Sequence, residues 1–369
     1  RVSCNLALQS KARQMMISKG STEQSLASFS KPASLLWSQA LVPGLRSMIR
    51  RGCLRVLFAG GKETFGDGSG TEVEIHVRSE AFLWRTLLDP GMGVADAYVE
   101  GEIDVRPDII DFFDLVLSNK DKNPAASPMA WSPMKLVTPI AKCYYTHLHA
   151  RRANSLTGSK QNIAAHYDLS NAMFGMFLSR DMTYSAGIFD DEVDALQTKS
   201  KPEDDLDFLE LSQKKKLDRM LDLIGLEAGD RILEVGCGWG SMAIRAVERC
   251  PNIKSWIAIT LSEEQRKLAE ERVMARGFGD RISVVICDYR EVAATFGAGS
   301  FTKAVSCEMI EAVGHEFLPD YFAALDECLA PGGKVSIQAI CVPDERYESY
   351  RRGSDFIRER IFPGSNLVS

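Results

Sequence analysis

The chain has 369 residues, 45% of them hydrophobic and 25% charged, with a formal net charge of −6. That length buries one large core or two smaller ones, the composition is that of an ordinary globular protein, and the acidic balance excludes a general nucleic-acid binder. No run approaches the roughly 20 apolar residues of a membrane-spanning helix. The nine cysteines are scattered without a Cys-x-x-Cys pair, which favours free thiols in a reducing compartment over a disulfide framework or a zinc site. The five histidines form no metal-ligand spacing, and His147 and His149 read as a solvated helix face.

The first residue is Arg1 rather than methionine, so the chain is expected to be a piece of a longer precursor or a processed product. Residues 1–33 read as a flexible tail or linker, rich in Ser, Gln and Lys and without sustained periodicity. The basic, acid-poor character of this stretch also resembles a transit peptide. A small α+β domain is expected over residues 34–125. It opens with Leu35, Leu36, Trp37, Leu41, Leu45, Met48 and Ile49 at near-helical spacing. That pattern reads as a helix packed on its own domain, with a membrane-surface helix as the alternative. Strands follow at 54–58 and 72–77, the second alternating Val73, Ile75 and Val77 with Glu72, Glu74 and His76. The glycine-rich stretch 60–70 joins them, and helical patches follow at 79–88, 94–99 and 108–117. Residues 118–133, with three prolines, form the boundary, and a second domain spans 134–369.

That domain is organised around residues 231–240, Arg-Ile-Leu-Glu-Val-Gly-Cys-Gly-Trp-Gly. A long helix over 206–224, with lysines at 214–216, leads into it. The spacing gives a short buried strand, a glycine turn and a helix over 241–249 with Met242, Ala243, Ala246 and Val247 on one face. Together they are the nucleotide-binding start of a doubly wound α/β sheet. The pattern is Glu-x-Gly-x-Gly-x-Gly rather than the Gly-x-Gly-x-x-Gly of dinucleotide sites. Gly236, Gly238 and Gly240 let the backbone turn sharply and approach a ligand. Strands at 255–260, 282–287, 302–307 and 333–342 alternate with helices at 263–276 and 317–329, which makes a mostly parallel five-stranded sheet. Pro331-Gly332-Gly333 reads as the turn into the fifth strand.

In such a sheet the ligand sits beyond the carboxyl ends of the strands. Four stretches fall there: 236–240, 260–265, 288–290 and 308–314. Where a dinucleotide enzyme carries Asp or Glu, this chain has Thr260, followed by Leu261 and Ser262; Gln265 could serve the ribose instead. Asp288 is placed to meet an adenine amino group, with Tyr289 or Arg290 against the ring. This pattern fits S-adenosylmethionine better than a nicotinamide cofactor.

Six motifs then carry a resemblance: His166-Tyr-Asp-Leu-Ser-Asn, Met182-Thr-Tyr-Ser, Leu233-Glu-Val-Gly-Cys-Gly-Trp-Gly, Thr260-Leu-Ser-Glu-Glu-Gln, Glu308-Met-Ile-Glu-Ala-Val-Gly and Ile361-Phe-Pro-Gly. In order and spacing they resemble the cyclopropane-fatty-acyl-phospholipid synthase family, which includes the synthases that cyclopropanate mycolic acids. The resemblance runs from about Leu54 to Ser369, and Asp96-Ala-Tyr-Val-Glu-Gly resembles the small N-terminal domain of its longer members. Some eukaryotic relatives carry an oxidase-like flavin domain ahead of both. The resemblance implies a Rossmann-like class I methyltransferase sheet. Such a sheet closes with an antiparallel hairpin, which is expected to be missing because the chain stops at Ser369.

The activity implied is methylene transfer from S-adenosylmethionine across a cis double bond of an unsaturated phospholipid acyl chain. The alkene attacks the sulfonium methyl, and a base then removes a proton so that the ring closes. The pocket must be apolar, dry and lined with π faces, for which Trp239, Tyr184, Phe174 and Phe177 are candidates. The resemblance also assigns Tyr184, Ser185, Glu234, Gly236, Gly238, Trp239, Gly240, Thr260, Leu261, Ser262, Gln265, Asp288, Tyr289 and Arg290 to the donor. In the family a bound bicarbonate is the base, held by groups matching Cys237, Glu311, a histidine, a tyrosine and the backbone at Ile340. The histidine position holds Gln338, which hydrogen-bonds but carries no proton charge. The tyrosine falls outside the chain. Glu311 either shares a proton with bicarbonate or is itself the base. Further expectations are a cytoplasmic enzyme in peripheral contact with a membrane, with no nucleic-acid partner and a homodimer as an open option. An amine N-methyltransferase and an inactive, truncated cofactor- or lipid-binding remnant stay open as alternatives.

Overall fold

The computed structural model describes residues 25–70, 72–120, 171–199, 207–353 and 355–369. The chain divides into two compact units, residues 1–144 and 145–369. The expected boundary at 118–133 and the His166 motif, apart from its final Asn171, lie largely outside the described residues.

In the first unit, Ser30 caps helix α1 (Lys31–Leu36) by accepting from the Ala33 amide. A wider turn, Trp37–Leu41, passes into α2 (Val42–Met48). The tail expected over 1–33 is corrected at its end. Ala27 N donates to Val77 O at 2.8 Å, Ala59 N donates to Ala27 O at 2.9 Å, and the Phe29 ring stacks on Phe58 at 4.7 Å. These residues hold backbone partners and pack a half-buried aromatic ring on the core, which a free tail would leave in water.

The sheet of this unit has the order β2-β1-β3-β4, with β1 Cys53–Phe58, β2 Gly61–Phe65, β3 Glu72–Val77 and β4 Ile103–Arg106. The pair β1–β3 is parallel and the other two pairs are antiparallel. Residues 60–70, read as a plain connection, therefore contain a strand; of its five residues only Phe65 is buried, so the alternation that marks a strand is absent. Helices α3 (Ala81–Leu88), α4 (Pro90–Val99) and α5 (Ile109–Lys120) complete the unit. The core gathers Leu54, Val56, Val73, Ile75, Val77, Phe82, Leu83 and Ile103.

In the second unit, α6 (Asp191–Lys199) is followed by α7 (Phe208–Ile224), which Asp207 caps at its start and Gly225 closes in the left-handed conformation. The sheet runs β7-β6-β5-β8-β9: β5 Arg231–Val235, β6 Ser255–Thr260, β7 Ile282–Ile286, β8 Phe301–Cys307 and β9 Leu329–Gln338. Every pairing in it is parallel. Crossovers include α8 (Ser241–Arg249), α9 (Glu263–Ala275), α10 (Val292–Phe296) and α11 (Leu318–Cys328). Apolar cores cover both faces, one with Ile232, Trp256 and Ala258, the other with Leu233, Ile257 and Ile259.

Pro331-Gly332-Gly333 lies within β9 rather than ahead of it. Phe301 pairs Leu329 while Lys303 pairs Lys334, so the segment between them loops out of the ladder. After β9 come α12 (Asp344–Arg351) and a wide turn, Ile357–Ile361, and Cys341 bridges Val368 in parallel. No helix among the described residues is long and apolar enough to cross a membrane.

Candidate functional site

Strand order reverses between β5 and β8, and there a cavity of about 990 Å³, open mouth included, lies at the carboxyl ends of β5, β6 and β8. The glycine turn forms one wall. Gly236 N and Cys237 N both donate to Ile259 O at 3.0 Å, and Gly240 N donates to Cys237 O at 3.0 Å. Gly238 has φ +52, and no atom stands within 4 Å of where a Cβ would sit, so the absent side chain leaves open space. At Gly236, φ +82, a Cβ would come within 2.7 Å of Met309 Cγ. At the end of β6, Thr260 Oγ1 donates to Gln265 Oε1 at 2.8 Å and accepts from Ser262 N at 3.1 Å. Ser262 caps α9 by accepting from Gln265 N.

Of the residues singled out by sequence, Tyr184, Ser185, Glu234, Gly236, Cys237, Gly238, Trp239, Thr260, Leu261, Gln265 and Tyr289 line this cavity. Gly240, Ser262, Asp288 and Arg290 are not among the lining residues. Asp288 is 1% exposed, and its two oxygens take Arg290 Nε at 2.8 Å and Nη2 at 2.7 Å. Its carboxylate is engaged by Arg290, which lies 5.1 Å over the Tyr289 ring.

Glu311, Gln338 and Ile340 also lie off the cavity lining. Glu311, in a single turn (Ile310–Ala312) after β8, is 9% exposed. Its Oε1 accepts from Ile340 N at 2.6 Å, while Oε2 is buried with no hydrogen-bond partner among the described residues. Burial holds its carboxyl above the ordinary range, with the Ile340 amide offsetting part of that. Gln338 Nε2 donates to Glu308 Oε1 at 2.7 Å.

Burial also dominates the charge balance. Glu234, 4% exposed, is pushed up to about 8, although the Trp256 indole donates to it at 2.7 Å and Lys216 is nearby. The Cys237 thiol is raised by burial and by Glu234. No group of His, Cys, Asp and Glu among the described residues could hold a metal ion.

Of the expected aromatic lining, Tyr184 and Trp239 reach the cavity, while Phe174 and Phe177 are not among its lining residues and pack against those two. Phe174 lies 5.0 Å from Trp239 and 5.4 Å from Tyr184, Phe177 lies 6.0 Å from Tyr184, and Phe362 stacks on Tyr184 at 6.2 Å. Trp239 Nε1 donates to Asn171 Oδ1 at 2.8 Å.

Three site residues were not singled out from the sequence. Lys216 lines the cavity from α7, and its burial follows the stripe Gln213, Leu217, Met220, Leu221, Ile224 on the same helix; four-residue spacing to Met220 was the available signal. Glu308 has φ +48, a left-handed backbone that glycine favours. Its Oε1 accepts from Ala186 N at 2.9 Å as well as from Gln338. Arg272 donates to the carbonyls of Asp181 (2.7 Å) and Trp239 and to Ser241 Oγ (3.3 Å), tying the 181–185 loop to the glycine turn.

Residues 154–369 match the mycolic acid cyclopropane synthetase family. The chain is similar to the tuberculostearic acid methyltransferase UfaA1 of Mycobacterium tuberculosis, with 44% identity over 57% of this chain and 46% of that protein. It is 30% identical to a probable fatty acid methyltransferase of Pseudomonas putida over 82% of this chain and 68% of that one. To the cyclopropane-fatty-acyl-phospholipid synthase of Escherichia coli K12 it is 29% identical over 72% of this chain and 60% of that one. The chain thus spans about half to two-thirds of the length of these relatives. A parallel sheet whose switch point carries the glycine turn, together with a match over more than half the residues, gives one conclusion: this chain belongs to the mycolic acid cyclopropane synthetase family.

Proposed function

We propose that the chain carries the core of an S-adenosylmethionine-dependent enzyme acting on a cis double bond of an unsaturated phospholipid acyl chain, which closes to a cyclopropane ring. The observation that carries this reading is a glycine-turn cavity whose wall carries two aromatic rings, Tyr184 and Trp239, against which Phe174 and Phe177 pack. The open space over Gly238 and the paired Thr260 and Gln265 side chains suit a nucleoside. When bound, the donor supplies an electrophilic methyl group. Tyr184 and Trp239 on the cavity wall, backed by Phe174, keep water from the electron-poor carbon and offer it π faces.

Bicarbonate suits Glu311, whose raised pKa and unpartnered Oε2 favour a shared proton, with the Cys237 thiol on the cavity wall. Ile340 N serves by holding Glu311, and Gln338, held by Glu308, stands in the histidine's place. Alternatively Glu311 takes the proton itself. Exposed Met176, Phe177 and Phe189 on the segment carrying Tyr184 support peripheral contact with a lipid surface. A second reading, a methyl branch instead of a ring, is favoured by the 44% identical relative being named a methyltransferase.

The test is incubation with methyl-labelled donor and unsaturated phospholipid vesicles, followed by mass spectrometry. The expected result is one CH₂ gained per unsaturated chain. Catalytic hydrogenation then separates a ring without a double bond from a branch that keeps one. Label appearing only in amines would overturn the reading.

A further inference from the structure

Three consecutive lysines on α7 have different surroundings. Lys214 pairs with Glu210 at 2.8 Å and Lys215 with Asp190 at 2.8 Å. Lys216 is 3% exposed and lines the cavity, yet among the described residues its ammonium donates only to neutral groups, the Ser185 hydroxyl and the Cys307 thiol at 3.1 Å. An ammonium withdrawn from water without an anion is costly. Among the described residues no carboxylate forms an ion pair with it, and Glu308 on the same cavity lining is engaged by Ala186 N and Gln338 Nε2 instead. Burial holds the Cys307 thiol up despite Lys216, and Glu234 is pushed up to about 8. Lys has three donor hydrogens and two are used, so one remains for a further acceptor.

Ser185 is the second half of the arrangement. Its backbone carbonyl accepts from Gln213 Nε2 and its hydroxyl meets Lys216, so α7 fixes it at both ends. A hydroxyl and an ammonium converging on a cavity wall suit a carboxylate, the acceptor that both donate to. S-adenosylmethionine carries one full negative charge, its α-carboxylate, beside a cationic ammonium and a sulfonium. Resting on the donor reading above, we propose that Lys216 and Ser185 form the subsite for the carboxylate of the donor's amino-acid end. Lys216 is then a binding residue that sets which end of the donor lies against α7.

Isothermal titration of the whole chain decides this with three ligands: S-adenosylmethionine, its decarboxylated analogue and 5′-methylthioadenosine, which lacks the amino-acid end. In the unaltered protein, loss of the carboxylate is expected to weaken binding roughly tenfold to a hundredfold, the scale of a charge-assisted hydrogen bond. Lys216→Met should reduce that ratio to below about threefold while leaving methylthioadenosine affinity unchanged, and Lys216→Arg should preserve most of it. Equal affinity of the unaltered protein for the first two ligands overturns the proposal, even where Lys216→Met fails to fold. So does a Lys216→Met protein that discriminates as before. If none of the three ligands binds, the donor reading falls and the proposal with it. Binding of methylthioadenosine without discrimination removes the proposal alone.

Discussion

In the first unit, β3 buries Val73, Ile75 and Val77 and turns Glu72, Glu74 and His76 outward; in the second, β5 buries Ile232, Leu233, Glu234 and Val235 together. The first sheet is mixed and one-faced, with its ionisable groups on the wet side, where Arg55 meets Glu72 and His76 lies 2.9 Å from Glu74. The second is parallel and covered on both faces, so a carboxyl on a strand has no water to meet. Such a group ends in the wall of the crevice at the switch point, with a shifted pKa. The contrast explains why charge chemistry gathers at the second sheet and surface pairing at the first.

That contrast can be broken by substitution, followed by hydrogen exchange resolved by peptide. The largest effect is expected for Trp256→Ala, which empties a fully buried site and leaves the Glu234 carboxyl without its indole donor. It should cost about 3–5 kcal/mol and speed exchange across 231–338 only; faster exchange across 53–106 as well would mean that the two sheets share one unfolding unit. Leu54→Ala, at a site 1% exposed in the first core, should cost about 2–5 kcal/mol with the reverse pattern.

Glu234→Gln sharpens the comparison through pH. The folded pKa near 8 lies above the ordinary 4.5, so the folded chain binds the extra proton. Stability from this group is complete below about 4.5 and is lost as pH rises toward 8, at up to about 1.4 kcal/mol per pH unit. Urea midpoints across that window should flatten in Glu234→Gln; an unchanged slope would assign the dependence elsewhere. Least of all, Arg55→Ala, which breaks the exposed pair with Glu72, should cost no more than about 1 kcal/mol, shrinking further in salt.

The same contrast governs what the sequence made legible. β5 and α8 match their expected spans, because a run buried on both faces between glycine signals has few other readings. β2 and β4 were missed: one buries a single residue, and the other is only four residues long. At the site, the glycine turn and the Thr260–Gln265 pair were visible as local motifs. Lys216 was hidden in a run of lysines, since only the rotation of α7 decides which of the three faces inward. Asp288 shows the converse, because its engagement by Arg290 two residues away depends on a local turn that no spacing encodes.

Arg272 reaches from α9 to the carbonyls of Asp181 and Trp239, one at the start of the 181–185 loop and the other in the glycine turn. Those two segments hang from one guanidinium, itself carried by a helix of the second sheet's crossovers. Neither therefore swings without dragging its counterpart.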